Sequence, residues 1–156
     1  MQHNELDHAN VIAPPPLIYG VAFIVGWLIH RAFPVPVLPE TLARWIGVVF
    51  VLVSIPVAIT AFRAMIRSQT SFDPRKPTTA IVTEGPFRYS RNPLYVSLTL
   101  LYLGVALLIN SLWIVLLVVP LLGVIQRGVI AREEAYLERK FGDEYLSYKT
   151  RVRRWI

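Results

Sequence analysis

The sequence predicts an all-α polytopic membrane protein: four transmembrane helices, with a cytoplasmic loop and a C-terminal amphipathic helix meeting on one face. Three observations carry that prediction. Hydrophobic residues make up 54% of the 156 residues, the mean hydropathy is +0.50, and the apolar residues fall in long uncharged runs. The runs are separated by proline-rich or Asn-Ser breaks. Lys and Arg are distributed unevenly: none before Arg31, two in the segment 31–44, six from Arg63 to Arg91, none at the Asn110 break and eight from Arg127 onward. With four crossings and both termini inside, fourteen of the sixteen lie on the cytoplasmic side.

The elements follow in order as one domain over 1–156. After Pro14-Pro15-Pro16, the first span covers about 17–33, with Trp27 and Arg31 near its far end, where an indole and a snorkelling arginine suit a headgroup boundary. The run Pro34-Val-Pro36-Val-Leu-Pro39 excludes regular helix and reads as an external turn. A second span covers about 43–66; Pro56 inside it predicts a kink, with Ser54 and Thr60 placed to satisfy freed backbone groups. Leu94 to Ile125 is too long for one crossing, and Asn110-Ser111 divides it into spans of about 93–109 and 112–131. The halves are short, so the second must run on through Gln126 and Arg127 as helix, with a bend at Pro120.

Composition removes several functions. There are no cysteines, which excludes disulfides, thiolate nucleophiles and Cys-ligated metals. His3, His8 and His30 lie outside the basic loop and tail, so no metal site and no Ser-His-Asp set is expected. No GxGxxG or phosphate-binding glycine loop occurs. The net charge of +6 flanks apolar runs, which fits contact with membrane lipids and not nucleic acid. The first sixteen residues hold acids but no Lys or Arg, unlike a cleavable signal peptide.

Two polar stretches share the cytoplasmic face. Gly85 to Tyr95 joins the basic loop to the third span, and Asn92-Pro93 reads as N-cap and first helical residue. Arg88 and Arg91 stand beside that helix start. They either anchor it to lipid headgroups or, with the free backbone N–H groups, hold a carboxylate or phosphate. The second stretch, Arg127 to Phe141, reads as an amphipathic helix stopped by Gly142. Glu133 falls near the centre of its apolar arc and Glu134 at the edge, with Glu138 on the polar side. A carboxylate at Glu133 needs a partner, which is Lys140, an arginine of the Gly85 stretch, or a ligand. Thr78 to Thr83 is β-prone and too short to span, reading as a surface connection or as backbone laid along a ligand.

These two stretches, Thr-Thr-Ala-Ile-Val-Thr-Glu-Gly-Pro-Phe-Arg-Tyr-Ser-Arg-Asn-Pro-Leu-Tyr and Arg-Glu-Glu-Ala-Tyr-Leu-Glu-Arg-Lys-Phe-Gly-Asp-Glu-Tyr, separated by a helical hairpin, resemble the isoprenylcysteine carboxyl methyltransferase family and its relatives, the phospholipid methyltransferases, over about residues 70–155. The resemblance implies an integral membrane enzyme that moves a methyl group from S-adenosylmethionine to a lipophilic small-molecule or lipid acceptor. It implies a cytoplasmic cofactor pocket built from 70–95 and 127–156. In that pocket the backbone of Thr79, Ala80, Ile81 and Val82, with Phe87, Asn92, Pro93, Leu94, Tyr95 and Glu133, would hold the cofactor. Arg91, Asn92, Tyr95 and Glu134 are the residues expected to serve catalysis. Asn92 stands where the family has His, which removes a group able to titrate near neutral pH. Val129 stands at the position of a substrate-contacting arginine.

Two other classes fit parts of the pattern. A sterol-reductase-like enzyme would bind a reduced nicotinamide, but no further basic cluster is dedicated to a 2′-phosphate. A non-catalytic membrane adaptor would use the basic loop and tail only for anionic lipid.

Overall fold

The computed structural model describes residues 8–73 and 76–156. Met1–Asp7, which carry His3 and much of the acidic N terminus, and Pro74–Arg75 of the basic loop lie outside the described residues. Among the described residues the chain is helical, with no strand, so the β-prone segment Thr78–Thr83 is irregular backbone.

Three helices are long and apolar enough to cross a membrane: α1 (Pro15–Ala32), α2 (Glu40–Arg67) and a 30-residue helix, Leu112–Phe141. The last consists of α4 (Leu112–Ile125), a π turn (Gln126–Ile130) and α5 (Ala131–Phe141). The expected third span is α3 (Pro93–Ile109), an apolar helix of 17 residues. The expected continuation beyond Gln126 is present: the span of about 112–131 passes through the π turn into the expected amphipathic helix, which ends at Gly142. There φ is +52, a conformation glycine adopts without a Cβ penalty, and α6 (Asp143–Arg151) then begins in a new direction.

The helices are joined as the breaks foretold. Pro34–Pro39 separates α1 from α2, and Asn110, at φ +56, turns α3 into α4. Asn110 also ties the α1–α2 and α3–α4 connections together. Its Oδ1 accepts from Val37 N (2.9 Å) and Leu38 N (3.2 Å), and its Nδ2 donates to Leu38 O (2.8 Å). Ser111 caps α4 by accepting from Ile114 N.

Packing places a tight crossing at one end and a gap at the other. A Cβ added at Gly104 would lie 3.0 Å from Gly47 O and 2.8 Å from Val51 Cγ2, so α2 and α3 meet backbone to backbone there. Gly26 brings α1 equally close to Ile114 of α4. The core between α1, α3 and α4 is filled by Tyr19, Tyr102, Ala106, Ile114, Leu121 and Ile125. Pro56 lies within α2, as expected. Ser54 and Thr60 donate to Val51 O (2.7 Å) and Pro56 O (2.6 Å), not to the carbonyl of Leu52, which Pro56 deprives of its donor.

Candidate active site

The Gly85 stretch begins with Gly85 at φ +59, followed by a 3₁₀ turn, Gly85–Arg88, that turns the Phe87 ring into the protein. From Ser90 to Asn92 the chain lies against the C-terminal tail. Arg91 N donates to Arg153 O (2.9 Å), Asn92 Nδ2 donates to Arg154 O (2.9 Å), and Asn92 N donates to Ser90 Oγ (3.1 Å). The capping reading of Asn92 is therefore corrected. It occupies the N-cap position, and its carbonyl accepts from Tyr95 N and Val96 N, but its side-chain oxygen accepts no cap bond; the side chain is turned to the tail, where Nδ2 donates to Arg154 O.

The helical wheel also needs correcting. Glu134, not Glu133, is the more deeply buried acid, with its side chain 6% exposed. Arg154 grips it with both forks, Nε to Oε1 at 3.0 Å and Nη2 to Oε2 at 2.5 Å, and Arg91 Nη1 stands 3.2 Å from Oε1. These bonds raise the pKa of Arg154 further above its ordinary value. The expected arginine of the Gly85 stretch is found, but it pairs with Glu134. Lys140 donates to Tyr136 Oη at 3.0 Å instead of reaching Glu133. The register differs because α6 folds back from Gly142 and brings the tail over the Glu134 side. Burial first, and then the Glu134 carboxylate, push the nearby Tyr145 phenol up to about 12, so it stays protonated.

Glu133 faces a cleft of about 130 Å³ and accepts a 2.7 Å bond from Tyr95 Oη. The cleft draws in Ala80, Ile81, Val82, Phe87, Arg91, Asn92, Pro93, Leu94 and Tyr95 together with Glu133 and Glu134. Thr79 is the exception among the expected residues: its N–H donates to Thr70 Oγ1 (3.2 Å) and its hydroxyl to Gln69 O (2.6 Å), which turns it from the cleft. Arg91 lines the cleft with a side chain only 9% exposed, and its Nε and Nη1 have no hydrogen-bond acceptor despite the nearby Glu134. Arg91 thus has a counter-charge in Glu134 but keeps N–H donors in the cleft that make no hydrogen bond.

Three contributors were not found from sequence. Arg154 lies in a basic tail with no motif. Tyr136, on the arc recognised from its helical spacing, accepts from Thr78 N at 3.2 Å and so orders the loop before the cleft. The N-terminal segment crosses the site: Ala9 lines the cleft, Asn10 O accepts from Arg132 Nη1 (2.8 Å), and Ile12 N donates to Gly128 O (3.2 Å). Gly128 lies in the π turn, where a Cβ would collide with the Ile12 side chain. The glycine was the only signal.

A second cavity, of about 380 Å³, opens between α2 and α3 on the side away from the Gly47–Gly104 crossing. It shares Phe72, Leu94 and Tyr95 with the cleft. No three His, Asp or Glu side chains gather in a metal-binding arrangement among the described residues.

Residues 42–144 match the phospholipid methyltransferase family. The chain belongs to that family. The matched region begins in α2 and ends at the start of α6, so it includes both stretches that build the cleft. A protein of Haemophilus influenzae described as uncharacterized is 48% identical over 63 residues, which cover 40% of this chain and all of that protein. Membership in the phospholipid methyltransferase family bears out the relationship read from the two linked motifs, and makes this chain a member of a membrane methyltransferase family.

Proposed function

We propose that the protein is a multi-pass membrane methyltransferase that uses S-adenosylmethionine and acts on a lipophilic acceptor, with its cofactor site and both termini on the cytoplasmic face. The observation that carries the reading is Arg91: a buried guanidinium, ion-paired with Glu134 but with Nε and Nη1 making no hydrogen bond, lining a cleft of the region that matches a methyltransferase family. A cofactor carboxylate is the group those donors fit, since a guanidinium binds a carboxylate through parallel N–H donors. Glu133 uses one oxygen for Tyr95 and has its second for a ribose hydroxyl or the cofactor's amino group. Phe87 and Leu94 supply apolar walls, and Ala80 to Val82 supply backbone.

Bound S-adenosylmethionine would supply an electrophilic methyl group. Displacement at such a carbon needs alignment and a dry site more than acid or base. Tyr95 stands on the wall common to both cavities, where acceptor and methyl group would meet. Its hydroxyl proton already lies on a line to Glu133, so the pair can take a proton from an acceptor that must lose one. Glu134 is poorly placed for that task because both its oxygens are held by Arg154. We assign it a positioning role: it holds Arg91 in the cleft. At about 130 Å³ the cleft is smaller than typical ligand pockets of about 300–1,000 Å³. Binding in this reading therefore shifts the segment around Ala9, which closes one side.

Calorimetry on the detergent-purified chain tests the reading. S-adenosylhomocysteine should bind and reduced nicotinamide dinucleotides should not; the reverse pattern would favour a reductase.

A further inference from the structure

A third hollow, of about 230 Å³, lies between Leu122, Gly123, Gln126 and Arg127 of the 30-residue helix and Trp155 of the tail. None of these five residues lines the cleft or the second cavity. Gly123 opens the groove, since a Cβ built there meets no atom within 4 Å. Trp155 forms the opposite wall. Its ring packs against the core between α1, α3 and α4, and its indole N–H donates to Gln126 Oε1 (3.3 Å). The backbone leading to it is fixed, because Arg153 O accepts from Arg91 N and Arg154 O from Asn92 Nδ2.

The two ends of the groove differ in chemistry. Val119 and Leu116, one and two turns before Gly123 on the same helix face, are exposed, so an apolar strip runs from the groove back along the span. The other end offers donors. Arg127 is the first charged residue of this helix, after an uncharged run from Leu112, which puts its guanidinium at headgroup level. It is exposed, has no acid three or four residues away, and makes no ion pair among the described residues. Trp155 occupies the Gln126 amide oxygen, which leaves the Gln126 NH₂ group to donate. No acid is among the described lining residues. Cation and amide donors at one end and an apolar strip at the other match an anionic headgroup carried on an acyl chain.

We propose that this groove holds one anionic phospholipid of the surrounding bilayer, as a clasp between α4 and the tail. Arg127 and the Gln126 amide receive the phosphate, and an acyl chain lies along Gly123, Val119 and Leu116. A zwitterionic lipid brings its own cation and gains less from Arg127, while a free phosphate has no chain for the strip. The lipid holds the tail one residue beyond Arg154, whose fork fixes Glu134. The assignment is independent of the reaction proposed above.

The test counts lipids retained by the full chain in native mass spectra, with dioleoyl phosphatidylglycerol and dioleoyl phosphatidylcholine as probes. One phosphatidylglycerol should be held about fivefold more tightly than phosphatidylcholine, the usual effect of one basic residue at a lipid surface. Arg127→Gln should abolish that preference. Gly123→Leu, which fills the groove from an open position and leaves every charge in place, should weaken both lipids several-fold. Arg67→Gln removes an exposed cation from the end of α2 and should change neither. An Arg67→Gln effect equal to that of Arg127→Gln would mean diffuse attraction and overturns the proposal, as does phosphatidylglycerol binding that Gly123→Leu leaves intact. Glycerol 3-phosphate should not displace the lipid; displacement overturns a lipid site in favour of free phosphate. In nanodiscs, phosphatidylglycerol should slow amide exchange at residues 152–156 several-fold in the wild type and not in Gly123→Leu. Equal wild-type exchange in the two lipids overturns the clasp.

Discussion

Arg154 closes on Glu134 from twenty residues away, with both guanidinium forks on both carboxylate oxygens (3.0 and 2.5 Å). The same carboxylate holds Arg91 at 3.2 Å, so the tail, α5 and the start of α3 share one buried anion. Removing it leaves two guanidinium groups without their counter-charge. Glu134→Ala is expected to cost about 3–5 kcal/mol, as for other broken buried pairs. Glu138→Ala, which breaks a half-exposed pair with Lys149, is expected to cost less than about 1 kcal/mol. Thermal unfolding in detergent checks the difference.

Glu133 separates binding from stability in the same helix. Glu133→Gln keeps the shape but removes the charge and weakens acceptance of a cofactor hydroxyl or amino group. S-adenosylhomocysteine affinity is expected to fall roughly tenfold, about 1.4 kcal/mol. Glu138→Gln, outside the cleft lining, is expected to change it less than twofold.

Tyr95→Phe removes the 2.7 Å bond to Glu133 while keeping the ring that both cavities share. For an acceptor that must lose a proton, turnover is expected to drop about 10²–10⁴-fold, the usual contribution of general base catalysis, with nucleoside affinity changed far less. Single-turnover methyl transfer beside calorimetry would read the two effects separately.

Gly128→Ala addresses the N-terminal segment. The new Cβ meets the tip of the Ile12 side chain, which must turn aside, so the packing of this segment on the π turn is loosened at a cost of about 1 kcal/mol. Faster proteolysis within residues 8–14 and a raised nucleoside dissociation rate are the expected outcomes.

Much of this was legible in the sequence, and the boundary has physical causes. Apolar run length and the breaks at Pro34–Pro39 and Asn110 gave helices, turns and order, because those signals are local. Glu133 was legible as a carboxylate on an apolar arc, and the structure gives it Tyr95. The Glu134–Arg154 fork was not, since it depends on the angle at which α6 leaves Gly142. Asn92 misled for a similar reason: its cap propensity is local, but its side chain is oriented by a bond to a tail carbonyl 62 residues away. The wheel ranked Glu133 above Glu134 because it considered one helix and not the tail laid over it. The second cavity depends on α2 and α3 separating beyond Gly47–Gly104, and apolar side chains on two helices do not encode that gap individually.

In the proposed function Arg91 keeps, for a cofactor carboxylate, N–H donors that make no hydrogen bond. The most direct measurement is calorimetric titration of S-adenosylhomocysteine into the wild-type chain and Arg91→Lys. A lysine preserves the charge but cannot present parallel N–H donors, so the account predicts clear binding to the wild type and a loss of tenfold or more in the variant. Equal affinity for both, or no heat with the wild type, would contradict it.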